Sequence, residues 1–297
     1  MKIQAYAKIN LTLEVLGMRP DGYHDLRSVV QPVTLADEID IEPTDGETIR
    51  VETISDGSVP IEALSGPAEN NLAWKAADAL RKATGVRKGA AIRILKKIPL
   101  GGGLGGGSAD AAATLNALNG LWGTGLAKEE LAEIGATVGS DVPALVIGGT
   151  VLMEGRGERV SRWPGGAGGP PAPKRHFLLA NPGVHSSTPA VFRACPISRL
   201  TGDKEILDNM RLAFSGGGAE AFAAAMQNDL ADAAYALYPQ IAEARRALLE
   251  AGALNATLTG SGATVAGVVR DASHGEEARR KVSRLMWCAL AENCPVV

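Results

Sequence analysis

Aromatic residues are scarce in this 297-residue chain, at 4% of the sequence, so its core must be packed mainly from small aliphatic side chains. Cysteine is rarer still. Cys195, Cys288 and Cys294 are odd in number and form no Cys-x-x-Cys pair, which argues against a disulfide framework and against a zinc site. The four histidines show no His-Glu-x-x-His spacing, so a protein-ligated metal is not expected. No run of about 18 uncharged apolar residues occurs, which excludes a membrane-spanning helix. The opening segment alternates polar and apolar residues and lacks the apolar centre of a secretory signal, so we expect a cytoplasmic protein with no membrane partner. Net charge is −3 and there is no Lys/Arg-rich block, so nucleic acid is not an expected partner either.

What is present is the composition of an ordinary globular protein, 45% hydrophobic and 21% charged, long enough for two medium cores. Alternation predicts strands at Ile3 to Val15, Leu26 to Leu35, Glu38 to Glu42, Thr48 to Ile54 and Ala90 to Ile98, with Arg19-Pro20-Asp21-Gly22 as a turn. Helical spacing predicts a helix over Leu72 to Thr84, capped by an Asn and ended by Gly85. A second is expected from Ser108 as its cap, closed by Gly120 and Gly123, and a third over Lys128 to Val138. Further on we expect a hairpin around Gly148 to Arg156, an irregular loop over Trp163 to Pro173, a strand at His176 to Ala180, helices between Ala219 and Ala251, and a strand-turn-strand over Ala256 to Val269.

The segment from Pro99 to Ser108 carries six glycines in seven positions between a strand and a helix. Without Cβ atoms such a turn can present consecutive N–H groups to phosphate oxygens, and the helix behind it adds its unpaired N–H groups and dipole. No Lys follows, which excludes a Walker loop, and there is neither a His-Arg-Asp nor an Asp-Phe-Gly motif of the protein kinases. Gly101, Gly103 and Gly106 also match Gly-x-Gly-x-x-Gly, with Glu129 and Glu130 downstream, so the turn by itself leaves a dinucleotide-binding oxidoreductase open. Asp141, in the bend Gly139 to Pro143, is a candidate proton acceptor for phosphoryl transfer. Lys8 and Asn10 alternate onto one face of the first strand, and Tyr23 and His24 place an aromatic face and a ring nitrogen in a turn.

Taken in order, Ala7-Lys8-Ile9-Asn10-Leu11, Arg19 to His24, Pro99 to Asp110, Gly139 to Pro143 and Leu258-Thr259-Gly260-Ser261-Gly262-Ala263 resemble the GHMP kinase superfamily from about residue 5 to about residue 270. The Lys-Ile-Asn and Asp-Gly-Tyr-His segments point, within it, to members acting on a cytidine-diphosphate-linked methylerythritol; homoserine- or mevalonate-type kinases are the alternative. The resemblance implies an α/β (α+β) protein of two domains, at 1–160 and 161–297. The first would be like domain 2 of ribosomal protein S5 and the second α+β, with the active site in the cleft between them. It implies ATP as phosphate donor, with Mg²⁺ brought by the nucleotide, and a monomer or weak homodimer.

On this resemblance Asp141 takes the proton of the acceptor hydroxyl and Lys8 steadies the carboxylate and the developing alkoxide. Asn10 contacts the substrate's polar tail, Tyr23 and His24 recognise cytosine, Thr188 lies beside the substrate and Phe192 covers the base. Asn71 and Lys96 lie near the adenosine, and Pro99, Gly101, Gly102, Gly103, Leu104, Gly105, Gly106, Gly107 and Ser108 hold the nucleotide phosphates. Two departures stand out. Ala109 replaces a second serine, leaving one hydroxyl fewer beside the phosphates, and the segment Val184 to Ser187 differs from the family's pattern, leaving His185 without a role.

Overall fold

The computed structural model describes residues 1–57, 59, 66–164, 173–196 and 204–294. The irregular loop expected over Trp163 to Pro173 falls largely outside the described residues. The chain condenses into two compact units, each assembled from separated stretches: Met1–Lys8, Ala36–Leu100 and Gly105–Gly148 in one, Ile9–Leu35, Gly101–Leu104 and Gly149–Val297 in the other. Two long strands, β1 (Lys2–Met18) and β2 (His24–Thr44), contribute to both. Expected as two strands, β2 is one. Asp37, which reads as a polar break, is fully buried, and its Oδ1 accepts the N–H groups of Lys97 and Ile98 at 2.6 and 2.9 Å, so the strand continues through it.

In the first unit the end of β2 pairs antiparallel with β4 (Gly89–Lys96), Ile39 opposite Ile94, and β4 pairs parallel with β3 (Ile49–Ser55). Helix α1 (Leu72–Thr84) starts where the Asn71 carboxamide accepts the Ala73 N–H at 2.8 Å, a cap worth about 1 kcal/mol, and stops where Gly85 turns left-handed. Helix α2 (Gly106–Trp122) begins two residues before the expected Ser108 and runs through Gly120 to a left-handed Gly123. Its buried face, Ala109, Ala111, Ala112, Leu115, Leu118 and Trp122, packs with Ala73, Ala76, Ala77 and Leu80 of α1 over Ile92 and Ile94. Small alanines at this interface let the helices approach closely, as the shortage of aromatics requires. The two tryptophans of this unit are anchored by their N–H groups, Trp74 to Ile49 O and Trp122 to Gly89 O. Helix α3 (Lys128–Ala136), with Glu130 accepting the Ala127 N–H, leads to a short helix α4 (Val142–Ile147).

In the second unit the start of β2 pairs with β5 (Val151–Gly155), which forms a hairpin with β6 (Arg159–Arg162). Beyond β7 (His176–Asn181) come α5 (Thr188–Ala194), α6 (Lys204–Gly216) and α7 (Ala219–Ala225). These are followed by a two-residue strand β8 (Gln227–Asn228) paired with Thr12 and Leu13, then α8 (Ala231–Leu237) and α9 (Pro239–Ala251). A four-stranded antiparallel sheet closes the unit, ordered β11-β7-β10-β9, with β9 (Asn255–Leu258), β10 (Val265–Val269) and β11 (Trp287–Glu292); α10 (Ala272–Val282) lies between the last two in sequence. Leu178, Ala180, Leu258 and Val265 from the sheet pack with Ile241, Ala244 and Leu248 of α9. No helix among the described residues is long and apolar enough to cross a membrane.

Candidate active site

The glycine turn is divided between the units, Gly101–Leu104 belonging with the second and Gly105–Gly107 with the first. In the first unit Gly105 caps α2 at φ 68°, and the first intrahelical bond is Ala109 N–H to Gly105 O at 2.8 Å. The N–H groups of Gly106, Gly107 and Ser108 therefore precede the hydrogen-bonded ladder and carry the positive end of the helix dipole. Such an end takes an anion without any basic side chain.

Two lysines reach this helix start from the strands below it. A Cβ on Gly105 would lie 3.0 Å from Lys8 Cγ and 3.6 Å from Asp141 Oδ2, so only glycine lets the turn rest on that pair. Lys8 is 3% exposed and its Nζ stands 3.5 Å from Asp141 Oδ2, while the Asp141 side chain keeps 29% of its surface open. Asp141 sits at the start of α4, where Pro143 fixes the backbone. The structure thus joins Lys8 to Gly105 and Asp141, which lie more than 90 positions further along the chain.

The second lysine, Lys96, ends β4. Its Nζ lies 3.4 Å from where a Gly106 Cβ would be and is hydrogen-bonded to Asp37 Oδ2 and, at 2.7 Å, to Asp110 Oδ2 of α2. All three side chains are buried. Burial pulls the Lys96 ammonium down, but the two carboxylates outweigh it and hold it above its ordinary value. Burial pushes the Asp110 carboxyl up to about 7 against the pull of Lys96, with Asp37 adding repulsion. Asn71 lies at the start of α1, where its amide caps the helix and donates to Thr53 Oγ1 at 3.2 Å. Ser108 Oγ stands 3.6 Å from the Gly139 Cβ position, on the segment that carries Asp141.

In the second unit, Gly103 takes φ 76° and a Cβ there would overlap the Thr259 carbonyl oxygen, so the two glycine turns are in direct backbone contact. Asn10 ties them. Its Oδ1 accepts the Gly260 N–H at 2.8 Å and the Thr259 hydroxyl at 3.2 Å, its Nδ2 donates to Ser28 Oγ at 2.8 Å, and its own N–H donates to Thr259 Oγ1. Expected on a substrate tail, Asn10 is 1% exposed and braces the second glycine turn. Leu104 is buried as well and offers the turn only its backbone.

Also in the second unit, His24 and Phe192 face each other with ring centroids 5.0 Å apart and planes 32° from parallel. His24 Nε2 is buried with no hydrogen-bond partner among the described residues. Tyr23 is 56% exposed, with the Arg156 guanidinium 4.3 Å over its ring. Thr188 Oγ1 is 2.7 Å from Ser261 Oγ, and His185 Nδ1 lies 3.5 Å from the Gly101 Cβ position. Sequence reasoning missed Asp37, Thr259 as a clamp, and Arg156. Only Thr259 carried a signal, in the Thr-Gly-Ser-Gly motif. No three His, Cys, Asp or Glu side chains converge as metal ligands among the described residues.

With this geometry in hand, comparison with known proteins is decisive. Residues 71–149 match the GHMP kinases N terminal domain and residues 210–286 the GHMP kinases C terminal domain. The 4-diphosphocytidyl-2-C-methyl-D-erythritol kinase of Symbiobacterium thermophilum is 41% identical over 97% of this chain and 98% of its own length. The chain belongs to this family of GHMP kinases. The enzyme of the same name from Pelotomaculum thermopropionicum is 42% identical over 94% of this chain and 92% of its own. A crystal structure of 4-(cytidine 5'-diphospho)-2C-methyl-D-erythritol kinase superposes with a TM-score of 0.82 at 28% identity, covering 98% of both chains. The two-domain GHMP kinase fold expected from the motifs is the fold observed. The N-terminal match opens on Asn71, the cap of α1, and runs past Asp141, so it takes in the glycine turn and the proton acceptor expected beside it.

Proposed function

We propose that the chain transfers the γ-phosphoryl group of ATP to the 2-hydroxyl of 4-diphosphocytidyl-2-C-methyl-D-erythritol, giving the 2-phosphate and ADP. The observation that carries the chemistry is the Lys8–Asp141 pair pressed against Gly105 at the start of α2. A carboxylate with an open edge, beside a buried ammonium and a helix N-terminus, is the arrangement that phosphoryl transfer to an alcohol needs. The acceptor oxygen attacks the γ-phosphorus, the bond to the bridging β-oxygen breaks, and the hydroxyl proton passes to Asp141. Lys8, 3.5 Å from Asp141, holds that carboxylate in place and offsets charge on the oxygen as the proton leaves.

The N–H groups of Gly106, Gly107 and Ser108 would receive the nucleotide phosphates, with magnesium arriving on the nucleotide and neutralising part of their charge. Asn71 and Lys96 would border the nucleotide from α1 and β4. For the acceptor, the His24–Phe192 pair supplies an aromatic face, and the unpartnered His24 Nε2 supplies a hydrogen-bonding group of the kind a cytosine edge requires. Tyr23 adds an exposed ring, and Thr188 a hydroxyl bonded to Ser261 of the second glycine turn. Asn10 would serve the acceptor by bracing that turn.

The test is ADP release with three acceptors. The cytidine-diphosphate-linked substrate is expected to exceed homoserine and mevalonate by at least about 10³ in kcat/KM, because a site built to hydrogen-bond one ligand strongly rejects those lacking the group. Comparable rates with all three would defeat the acceptor assignment. Absence of ADP release with any would defeat the kinase reading as well.

A further inference from the structure

The Asp37–Lys96–Asp110 cluster is larger than a helix-to-strand tie requires. One ammonium is enclosed by two carboxylates in a buried site, so the fully ionised cluster carries a net charge of −1 directly beneath the first turn of α2. That is the wrong sign for the start of a helix that receives phosphates. One atom marks where the excess can be removed. Asp110 Oδ1 is buried and has no hydrogen-bond partner among the described residues, whereas Oδ2 is held by Lys96 at 2.7 Å and both Asp37 oxygens are bonded. A proton on Asp110 leaves a neutral Asp37–Lys96 pair with its hydrogen bonds intact.

We infer that Asp110 is a positioning residue of the nucleotide site, holding Lys96 against Gly106 and taking up a proton when phosphates bind at the start of α2. The inference rests on the reading of that helix start as the ATP phosphate site. The charged groups acting on Asp110 are Lys96 of β4 and Asp37 of β2; Lys97, the next residue, turns outward to Glu38 at 2.5 Å. The buried carboxyl titrates near neutrality, so the cost of the excess charge falls inside the working pH range. A multiply charged nucleotide roughly one helical turn away acts across a poorly screened interior. Each state then favours the other. Phosphate binding raises the proton affinity of Asp110, and a protonated Asp110 raises phosphate affinity by the same factor.

The test measures binding rather than turnover, using a non-hydrolysable ATP analogue with magnesium between pH 6.5 and 8.5. In the native protein the Kd is expected to rise about tenfold more across this range than in Asp110→Asn, which keeps an oxygen for Lys96 but cannot ionise. Superimposable pH profiles would overturn the inference while leaving the nucleotide site standing. No binding by the native protein at any pH would remove the site and the inference with it. A second measurement needs no variant. Calorimetric titration of the native protein at pH 7.5 in two buffers of different ionisation enthalpy should show net proton uptake, and buffer-independent heats would overturn the assignment.

Discussion

Lys8 and Lys96 support adjacent glycines of the same turn, yet their partners differ in every respect that matters. Lys96 is enclosed between two buried carboxylates, with its link to Asp110 at 2.7 Å. Lys8 faces one carboxylate at 3.5 Å, and that carboxylate is nearly a third open to solvent. A tight, buried cluster can set geometry but has no room for a reacting atom. A looser pair with an open edge can admit one and accept its proton. On the proposed function, the difference separates the residues that would shape the site from those that would act in it, although both sets pair lysine with aspartate.

The sharpest way to break this contrast is to remove each ammonium in turn. Lys96→Met should cost about 3–5 kcal/mol of stability, because it leaves Asp37 and Asp110 buried without their counterion. Lys8→Met should change the melting temperature far less, since its partner can be solvated, while turnover falls. Thermal unfolding of both variants checks this, and equal destabilisation would mean that Lys8 also serves mainly as a structural ion. Asp141→Asn should preserve nucleotide binding and reduce kcat by about 10² or more, the scale of a lost general base. A near-native rate would leave Asp141 only a role in starting α4. Smaller again, Gly105→Ala forces a side chain into a left-handed backbone position, at a cost of about 1–2 kcal/mol, and pushes its Cβ against Lys8 Cγ. We expect roughly a tenfold loss of kcat with little change in the binding of nucleotide analogue. If binding fell instead and kcat held, Lys8 would be serving the phosphates rather than the proton transfer.

The Lys8–Asp141 pair is more legible in the sequence than the Asp37–Lys96–Asp110 cluster, for a physical reason. Lys8 interrupts an apolar strand and Asp141 sits between Gly139 and Pro143, so each is conspicuous locally, and the family's motif order connects them. Asp37 is conspicuous nowhere. It lies in Leu35-Ala36-Asp37-Glu38, where a polar pair reads as the gap between two strands, and its partners at Lys96 to Ile98 are some sixty residues away. Local elements with strong end signals were read accurately, as α1 shows with its Asn71 cap and Gly85 stop. Helix α4 is too short at six residues to establish a period, and α5, with seven, has the same difficulty. Serine is a common cap, which puts the expected start of α2 at Ser108; the left-handed Gly105 allows the helix to begin earlier and brings two glycine N–H groups to its open end. Asn10 shows the opposite limit. Its motif marked it as part of the site, but only tertiary contacts reveal that its amide is engaged with Gly260, Thr259 and Ser28.

The smallest expected effect isolates the shaping cluster without touching nucleotide. In the unfolded chain Asp110 loses its proton near its ordinary value of 3.8, whereas in the folded protein burial retains it to about 7. Between those values the unfolded state binds fewer protons than the folded one, so stability falls as pH rises, and it levels off above the folded value. Integrated from pH 6 to pH 8, this single group removes about 1 kcal/mol, or roughly 2 °C in melting temperature for a chain of this size. Asp110→Asn abolishes that titration. Its melting temperature relative to the native protein should therefore climb by about 2 °C between pH 6 and pH 8, whatever its offset at pH 6. A relative melting temperature that declined over this interval would mean that the ionised carboxylate is favoured in the fold, and that Lys96 outweighs burial and Asp37 together.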